Sequence, residues 1–332
     1  MALVFLLGQN TAFAFFSKCK QKIDKNGGST IIAETDKFRF RSNIWVNLHH
    51  YLYEQARKGP RDYEQLSQEK KIFTEIPASE LKLITEAVLY YANNITQHHL
   101  IFTDSLYKFK CWLAEQDQSK PLSGNNYSGI YLQLNKTYDV YKKHIWGLHR
   151  QLNDDALKKI VTIIDTIEET VFSKLEKLSN EKWPTSKINV DVTCYAGWAG
   201  AYTSSDPITV TQSFFDSRGT GLYAVETVFH ESSHLIYGSR YWLGKQLAVE
   251  ASSQNKKIDR NFWHAVLFYI TGKVVQEKLK KQNIHFDEIY MVKNDVFARF
   301  LSVEFCNILD QYIGGDIGGE FALRLLIQNY GE

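Results

Sequence analysis

The sequence predicts an α+β protein that is mostly α-helical and carries one small sheet. Three observations predict it. Apolar residues recur at spacings of three and four along most of the chain, the period of one helix face. One stretch alone, residues 187–213, is instead rich in β-branched and aromatic residues, glycine and small polar side chains. Helical spacing then returns near residue 220 and runs almost to the C-terminus.

The chain opens with MALVFLLGQNTAFAFFSKC, an apolar run followed by Ala12-Phe13-Ala14, the small-x-small pattern of signal-peptide cleavage. Residues 1–14 therefore read as an export signal, and the expected location is periplasmic or extracellular. The run is short and no positive charge precedes it, so a buried N-terminal helix in a cytoplasmic protein is the alternative. Residues 15–43 are polar, contain Gly27-Gly28-Ser29, and read as an irregular arm.

Residues 44–182 read as a helical region. SNIWVNLHHYLYEQARK starts on a capping residue, Ser42 or Asn43, and continues with helical spacing through Ile44, Val46, Leu48, Tyr51 and Leu52. PASELKLITEAVLYYANNI begins at a proline, with Ser79 as its expected cap and Leu81, Ile84, Val88 and Leu89 on one face. A helix over 104–116, a loop at PLSGNNYSG and two long amphipathic helices, 131–152 and 154–180, follow. The last has acids at its start and lysines in its final turns, as the helix macrodipole favours.

The character changes at Trp183-Pro184. Strands are expected near 187–194 and 207–213, joined by a glycine-containing segment. Helices are expected over 221–237, 242–254, 260–281, 290–311 and 318–329. Residues 183–332 thus form a second region, with the small sheet immediately before the 221–237 helix.

Of the 332 residues, 44% are hydrophobic and 23% charged, which suits a packed core rather than disorder. The net charge is only +2, and Lys and Arg are scattered. No basic stripe points to nucleic acid, and no polybasic patch points to a membrane surface. Apart from the N-terminal run, no stretch approaches the roughly 18 apolar residues of a membrane span, so stable membrane insertion is not expected. Cys19, Cys111, Cys194 and Cys306 follow no metal-ligand spacing and are expected to be free, mostly buried thiols.

The chemistry is concentrated in residues 227–236, TVFHESSHLI. His230 and His234 lie four apart and share a helix face, so both can offer a ring nitrogen to one ion. Glu231 projects beside such an ion without ligating it. Zinc lowers the pKa of a bound water, and a carboxylate so placed takes its proton as the water attacks a polarised carbonyl. Ser232 and Ser233 are small and uncharged, and Val228, Leu235 and Ile236 are apolar, so the helix is polar mainly at the site itself. The competing reading makes these two core histidines and a surface carboxylate; it leaves their spacing to coincidence.

Over about residues 185–280 the sequence resembles zincin metallopeptidases, whose metal helix carries HExxH. The resemblance implies a zincin-like core, a zinc cofactor and a peptide or protein substrate. It also implies an edge strand beside the metal helix that pairs with extended substrate, for which Ala199–Tyr202 or Ile208–Thr211 is the candidate. The metzincin extension needs Gly at 237 and His at 240, where this chain has Tyr237 and Arg240. The gluzincin layout, closer in its helices, takes a Glu some 20 residues on. Here Glu250 lies 16 residues after His234, and Gln254 holds the 20-residue position.

His264, in NFWHAVLFYITG, is the stronger candidate for third ligand. It is an isolated histidine in an apolar helix, and a buried polar group needs a partner such as a metal. Similar WHxxxFY helices follow HExxH in poorly characterised bacterial proteins of zincin type. A core histidine bonded to a carbonyl is the alternative; Glu250 stands second as ligand, with Glu277 and Asp259 behind it. An oxyanion-stabilising tyrosine is also implied. Tyr269, on the helix of His264, is preferred to Tyr237, although five residues carry it well round that helix. His49 and His50 point about 100° apart and cannot act as an i, i+4 pair. Their simplest reading is one buried and one exposed histidine, with a contact to the catalytic cleft as the functional alternative.

The expected function is zinc-dependent hydrolysis, first of a peptide bond. The alternatives are a metallohydrolase of a non-peptide substrate, or a binding or scaffold protein with a structural or decayed zinc site. Structural sites usually close with four protein ligands, often including cysteine, and no cysteine here has a suitable spacing.

Overall fold

The computed structural model describes residues 22–23, 28–58, 67–123, 128–214 and 219–332. The expected export signal, residues 1–14, and Cys19 lie outside these residues. Two units make up the chain. One takes the residues up to Thr162 together with Ile188–Ser217; the other takes Ile163–Lys187 and Arg218–Glu332.

The first unit holds a mixed sheet of six strands: β1 (Lys22–Ile23), β2 (Thr30–Glu34), β3 (Phe38–Ser42), β4 (Ile188–Thr193), β5 (Ala201–Ser205) and β6 (Ile208–Ser213). Their order is β1-β2-β3-β4-β6-β5. The pairs β3/β4 and β4/β6 are parallel and the others antiparallel. Strands therefore replace much of the irregular arm expected over 15–43. The reason is tertiary: β3 is only five residues long, and its register, Phe40 opposite Val190 and Arg41 opposite Asp191, is set by a strand far away in sequence. The expected boundary at 182/183 moves for the same reason. β4, β5 and β6 fold with the first unit, whereas residues 221–237 belong to the second.

β5 forms within the segment expected to be a simple connection, after Gly197 and Gly200 turn the chain at positive φ (71° and 77°). It is an edge strand, whereas β6 is paired on both sides. Of the two segments expected to bind substrate, Ile208–Thr211 lies in β6, while Ala199–Tyr202 runs into β5, whose outer edge pairs with no strand among the described residues.

β4 explains the balance of this unit. In INVDVT, Ile188, Val190 and Val192 alternate with polar residues, as a pleated strand requires. Asp191, on the polar side, is nevertheless buried. It accepts hydrogen bonds from Arg41 Nε (2.6 Å) and Lys110 Nζ (2.9 Å), and Arg41 also reaches Glu115 (2.8 Å). Burial alone would raise the Asp191 carboxyl, but the Arg41 and Lys110 charges and hydrogen bonds hold it below the usual range.

Helices α1 (Ile44–Lys58), α2 (Ser67–Glu75), α3 (Ala78–Asn94), α4 (Asp104–Ala114), α5 (Ser128–His144) and the start of α6 (Trp146–Ser179) complete the first unit. Trp45, Leu48, Tyr51, Tyr91, Phe109, Leu113, Leu134 and Tyr141 fill its core. Asn43 caps α1, its Oδ1 accepting the Trp45 amide at 2.8 Å. Ser79 does not cap α3, which begins at Ala78 after Pro77. No helix boundary falls at 152–154. α6 runs through Asn153-Asp154-Asp155, and the interruption is a single residue, Ile145, whose amide still bonds Tyr141. Asn153 does not break the helix because its side chain has tertiary partners: it donates to Asn47 Oδ1 (3.3 Å) and accepts from Cys194 Sγ (3.5 Å).

The second unit contains the end of α6 and helices α7 (Leu222–Ser233), α8 (Trp242–Ser253), α9 (Phe262–Lys281), α10 (Tyr290–Lys293), α11 (Val303–Gly314) and α12 (Gly319–Tyr330). The helix expected over 290–311 is two helices with an irregular link. Asp295 (φ 51°) and Phe297 (φ 57°) are left-handed and stop α10, and Ser302 starts α11 afresh by accepting the Phe305 amide (3.1 Å). Among the described residues no helix is long and apolar enough to cross a membrane. Cys111, Cys194 and Cys306 are free thiols, as expected.

Candidate metal centre

α7 carries the HExxH residues on its last turns. The helix starts after Gly221, in a conformation with φ of 59°, and its inward face is Ala224, Val225, Val228 and Phe229. Ser232 and Ser233 are buried without cost to the backbone pattern because each hydroxyl donates back one turn, to Val228 O (2.6 Å) and Phe229 O (2.7 Å). The expected helix over 221–237 ends early, at Ser233. His234 is the C-cap, and the amides of His234, Leu235 and Ile236 bond three residues back, tightening the last turn. A cation held here meets the negative end of the helix macrodipole.

α9 brings the third imidazole. His264 lies in its first turn, its amide bonded to Asn261 O (3.0 Å). His264 Nε2 stands 3.2 Å from His230 Nε2. One ligand atom from each of His230, His234 and His264 can be chosen so that all lie within 4.8 Å of one another. Two nitrogens on one tetrahedral ion at ~2.0–2.1 Å stand about 3.3 Å apart, so the His230–His264 spacing already suits a shared ion. Among the described residues this group has three members.

The surroundings are aromatic. Phe268 stacks on His230 (3.8 Å between ring centroids). Trp263 packs edge-on to His234 (5.8 Å) and beside His264 (5.1 Å), and Phe297 meets His264 edge-on (5.2 Å). Burial disfavours the charged imidazolium. It depresses His230 well below the usual imidazole range, with His234 and His264 adding repulsion; it lowers His234 to about 3, again helped by His264, and His264 to about 4. All three rings are therefore neutral at physiological pH, the form that ligates a metal. Glu231 is buried on the same helix, one residue from His230.

Comparison with protein-family models, with curated proteins and with solved structures finds no match. The site must therefore be read from its own geometry.

The other candidates are occupied elsewhere. Glu250 is not in the group; its oxygens accept from Gln246 Nε2 (3.3 Å) and Arg324 Nε (3.3 Å). Glu277 pairs with Lys281 and Lys278, and Asp259 with Arg299. Tyr269 turns about 140° round α9 from His264, and its hydroxyl donates to Asp310 on α11 (3.0 Å). Tyr237 is fully buried and donates to Leu175 O (3.3 Å). Neither tyrosine is brought to the imidazoles by these contacts. His49 and His50 are both buried, not one of two. His49 bonds the Tyr91 hydroxyl (2.9 Å), and His50 spans Val46 O and the Tyr202 hydroxyl (2.8 Å each).

Sequence reasoning missed Glu226, Phe268, Tyr290 and Phe297. Spacing offered a signal for two of them. Glu226 lies four residues before His230, and Phe268 four after His264, so each shares a face with a ligand candidate.

Proposed function

We propose that this protein is a zinc-dependent hydrolase of zincin type, acting first on peptide bonds. One observation carries the reading: three neutral imidazoles from α7 and α9 converge so that one ion could take a nitrogen from each, and Glu231 follows His230 in the chain. His230, His234 and His264 would hold the ion. When bound, zinc supplies Lewis acidity and a water of lowered pKa. Glu231 would be the base that takes the proton of a water so held and returns it to the leaving amine. Trp263, Phe268 and Phe297 limit water around the rings and raise the electrostatic effect of every charge held there.

Three protein ligands among the described residues favour a catalytic over a structural zinc, because structural sites are almost always closed by four. The test is a broad peptide library incubated with zinc-loaded protein, chelated protein and Glu231→Gln. Cleavage confined to the first supports the reading. Stoichiometric zinc with undiminished turnover in Glu231→Gln would remove it.

A further inference from the structure

Glu226 is fully buried on α7, one turn before His230. Its Oε2 accepts the backbone amide of Tyr290 at 2.7 Å, the first residue of α10. Gly272 on α9 makes room for it: a Cβ there would stand 2.6 Å from Glu226 Oε1 and 2.9 Å from Ile289. Oε1 and His230 Nδ1 are both buried without a hydrogen-bond partner among the described residues, on adjacent turns of one helix face. Burial pushes the Glu226 carboxyl up to about 8, against the Tyr290 amide, which favours ionisation, so it is mostly neutral at pH 7.

The segment that Glu226 holds is the aromatic wall of the metal centre. The Tyr290 ring stacks on Phe268 (5.8 Å), and Phe268 stacks on His230. Seven residues on, Phe297 packs edge-on against His264 from a left-handed backbone (φ 57°). A bulky residue adopts that conformation only where its surroundings enforce it. This short segment, its first amide tied to the metal helix itself, thus packs His264 directly through Phe297 and backs His230 through Phe268 of α9.

We infer that Glu226 is a positioning residue for the three-histidine centre: by accepting the Tyr290 amide, its buried carboxyl holds residues 290–297 as the wall that orients the His230 and His264 rings. The metal-affinity part of this inference rests on the reading of those histidines as a metal centre; the anchoring part does not. Glu226→Leu keeps an apolar fill but leaves the Tyr290 amide unbonded. Glu226→Gln is neutral and retains an accepting oxygen, so it serves as the conservative rescue.

The test combines amide hydrogen exchange over 286–300 with chelator-competed Co²⁺ binding, followed by the Co²⁺ absorption spectrum, in folded full-length protein. Glu226→Leu is expected to lose exchange protection at Tyr290 and the residues after it. Its Co²⁺ affinity is expected to fall by about 10–100-fold, the range of an outer-shell partner. Glu226→Gln is expected to behave as wild type in both. If Glu226→Leu does not fold, Gly272→Ala, which crowds Oε1, is expected to weaken the same protection and affinity. Wild-type protection and affinity in Glu226→Leu, or in Gly272→Ala where that variant stands in, would overturn the inference. So would Glu226→Gln as damaged as Leu. If wild-type protein binds no Co²⁺, the metal reading fails, and exchange at Tyr290 alone decides whether Glu226 anchors the segment.

Discussion

His230 Nε2 and His264 Nε2 lie 3.2 Å apart, although the residues are separated by 34 positions. In the proposed zinc site, that pair and His234 are the ligands. His264→Ala is expected to lower zinc affinity by more than about 100-fold, beyond the range of outer-shell changes. Chelator competition with the folded variant measures it. Unchanged affinity would assign the third ligand to another residue.

Glu231→Gln is expected to keep about one zinc per chain and to lose about 10²–10⁴-fold in turnover, the contribution of a positioned base. Metal analysis and peptide cleavage on the same sample separate the two effects. Loss of the metal together with activity would make Glu231 structural.

Glu250→Gln and Tyr269→Phe are expected to leave zinc affinity within about twofold, since each residue is bonded away from the imidazoles. Tyr269→Phe is expected to cost about 1 kcal/mol of stability through the lost Asp310 hydrogen bond, with turnover unchanged. A large fall in turnover at constant stability would restore Tyr269 as an oxyanion donor.

His50 is expected to make the first unit sensitive to acid. Burial, aided by Lys110 and opposed by the Val46 carbonyl and Asp191, lowers it from 6.5 to about 4. As pH falls through 6.5 the unfolded chain takes up a proton and the folded chain does not, so folding stability declines until about pH 4. The decline attributable to His50 is roughly 3 kcal/mol. Urea unfolding of metal-free protein between pH 7.5 and 4 is expected to show the slope, and His50→Gln to reduce it. An equal slope in both proteins would exclude His50 as its source.

Asp191→Ala is expected to destabilise the first unit by about 3–5 kcal/mol, because Lys110 would be left a buried charge without its carboxylate and Arg41 would keep only the exposed Glu115. Thermal or urea unfolding reads the change. A loss below about 1 kcal/mol, as at an exposed pair, would mean that solvent reaches the triad.

Several of these features were legible in the chain itself. The helices at 44–58, 242–253 and 262–281 follow from apolar spacing, because a helix face is written every three or four residues. Spacing also put His230 and His234 on one face and singled out His264 as a polar residue in an apolar run. Local signals misled where a residue's surroundings came from elsewhere. The sequence divides the helices at 152–154, but the bonds of Asn153 to Asn47 and Cys194 let α6 pass through. Asp295 and Phe297 carry no helix-breaking composition, yet they adopt left-handed backbone and divide the helix expected over 290–311.

The sequence by itself determined the helical character, the single β-rich stretch and the i, i+4 histidine pair, because each depends on residues close in the chain. Only the tertiary structure decided that β3 pairs with β4, and that His264 rather than Glu250 joins His230 and His234. It also decided that Glu226 ties the Tyr290 segment to α7. Those relationships depend on register and packing between distant segments, which no local periodicity encodes. Burial then does the rest: it keeps three histidines neutral and close enough to share one ion.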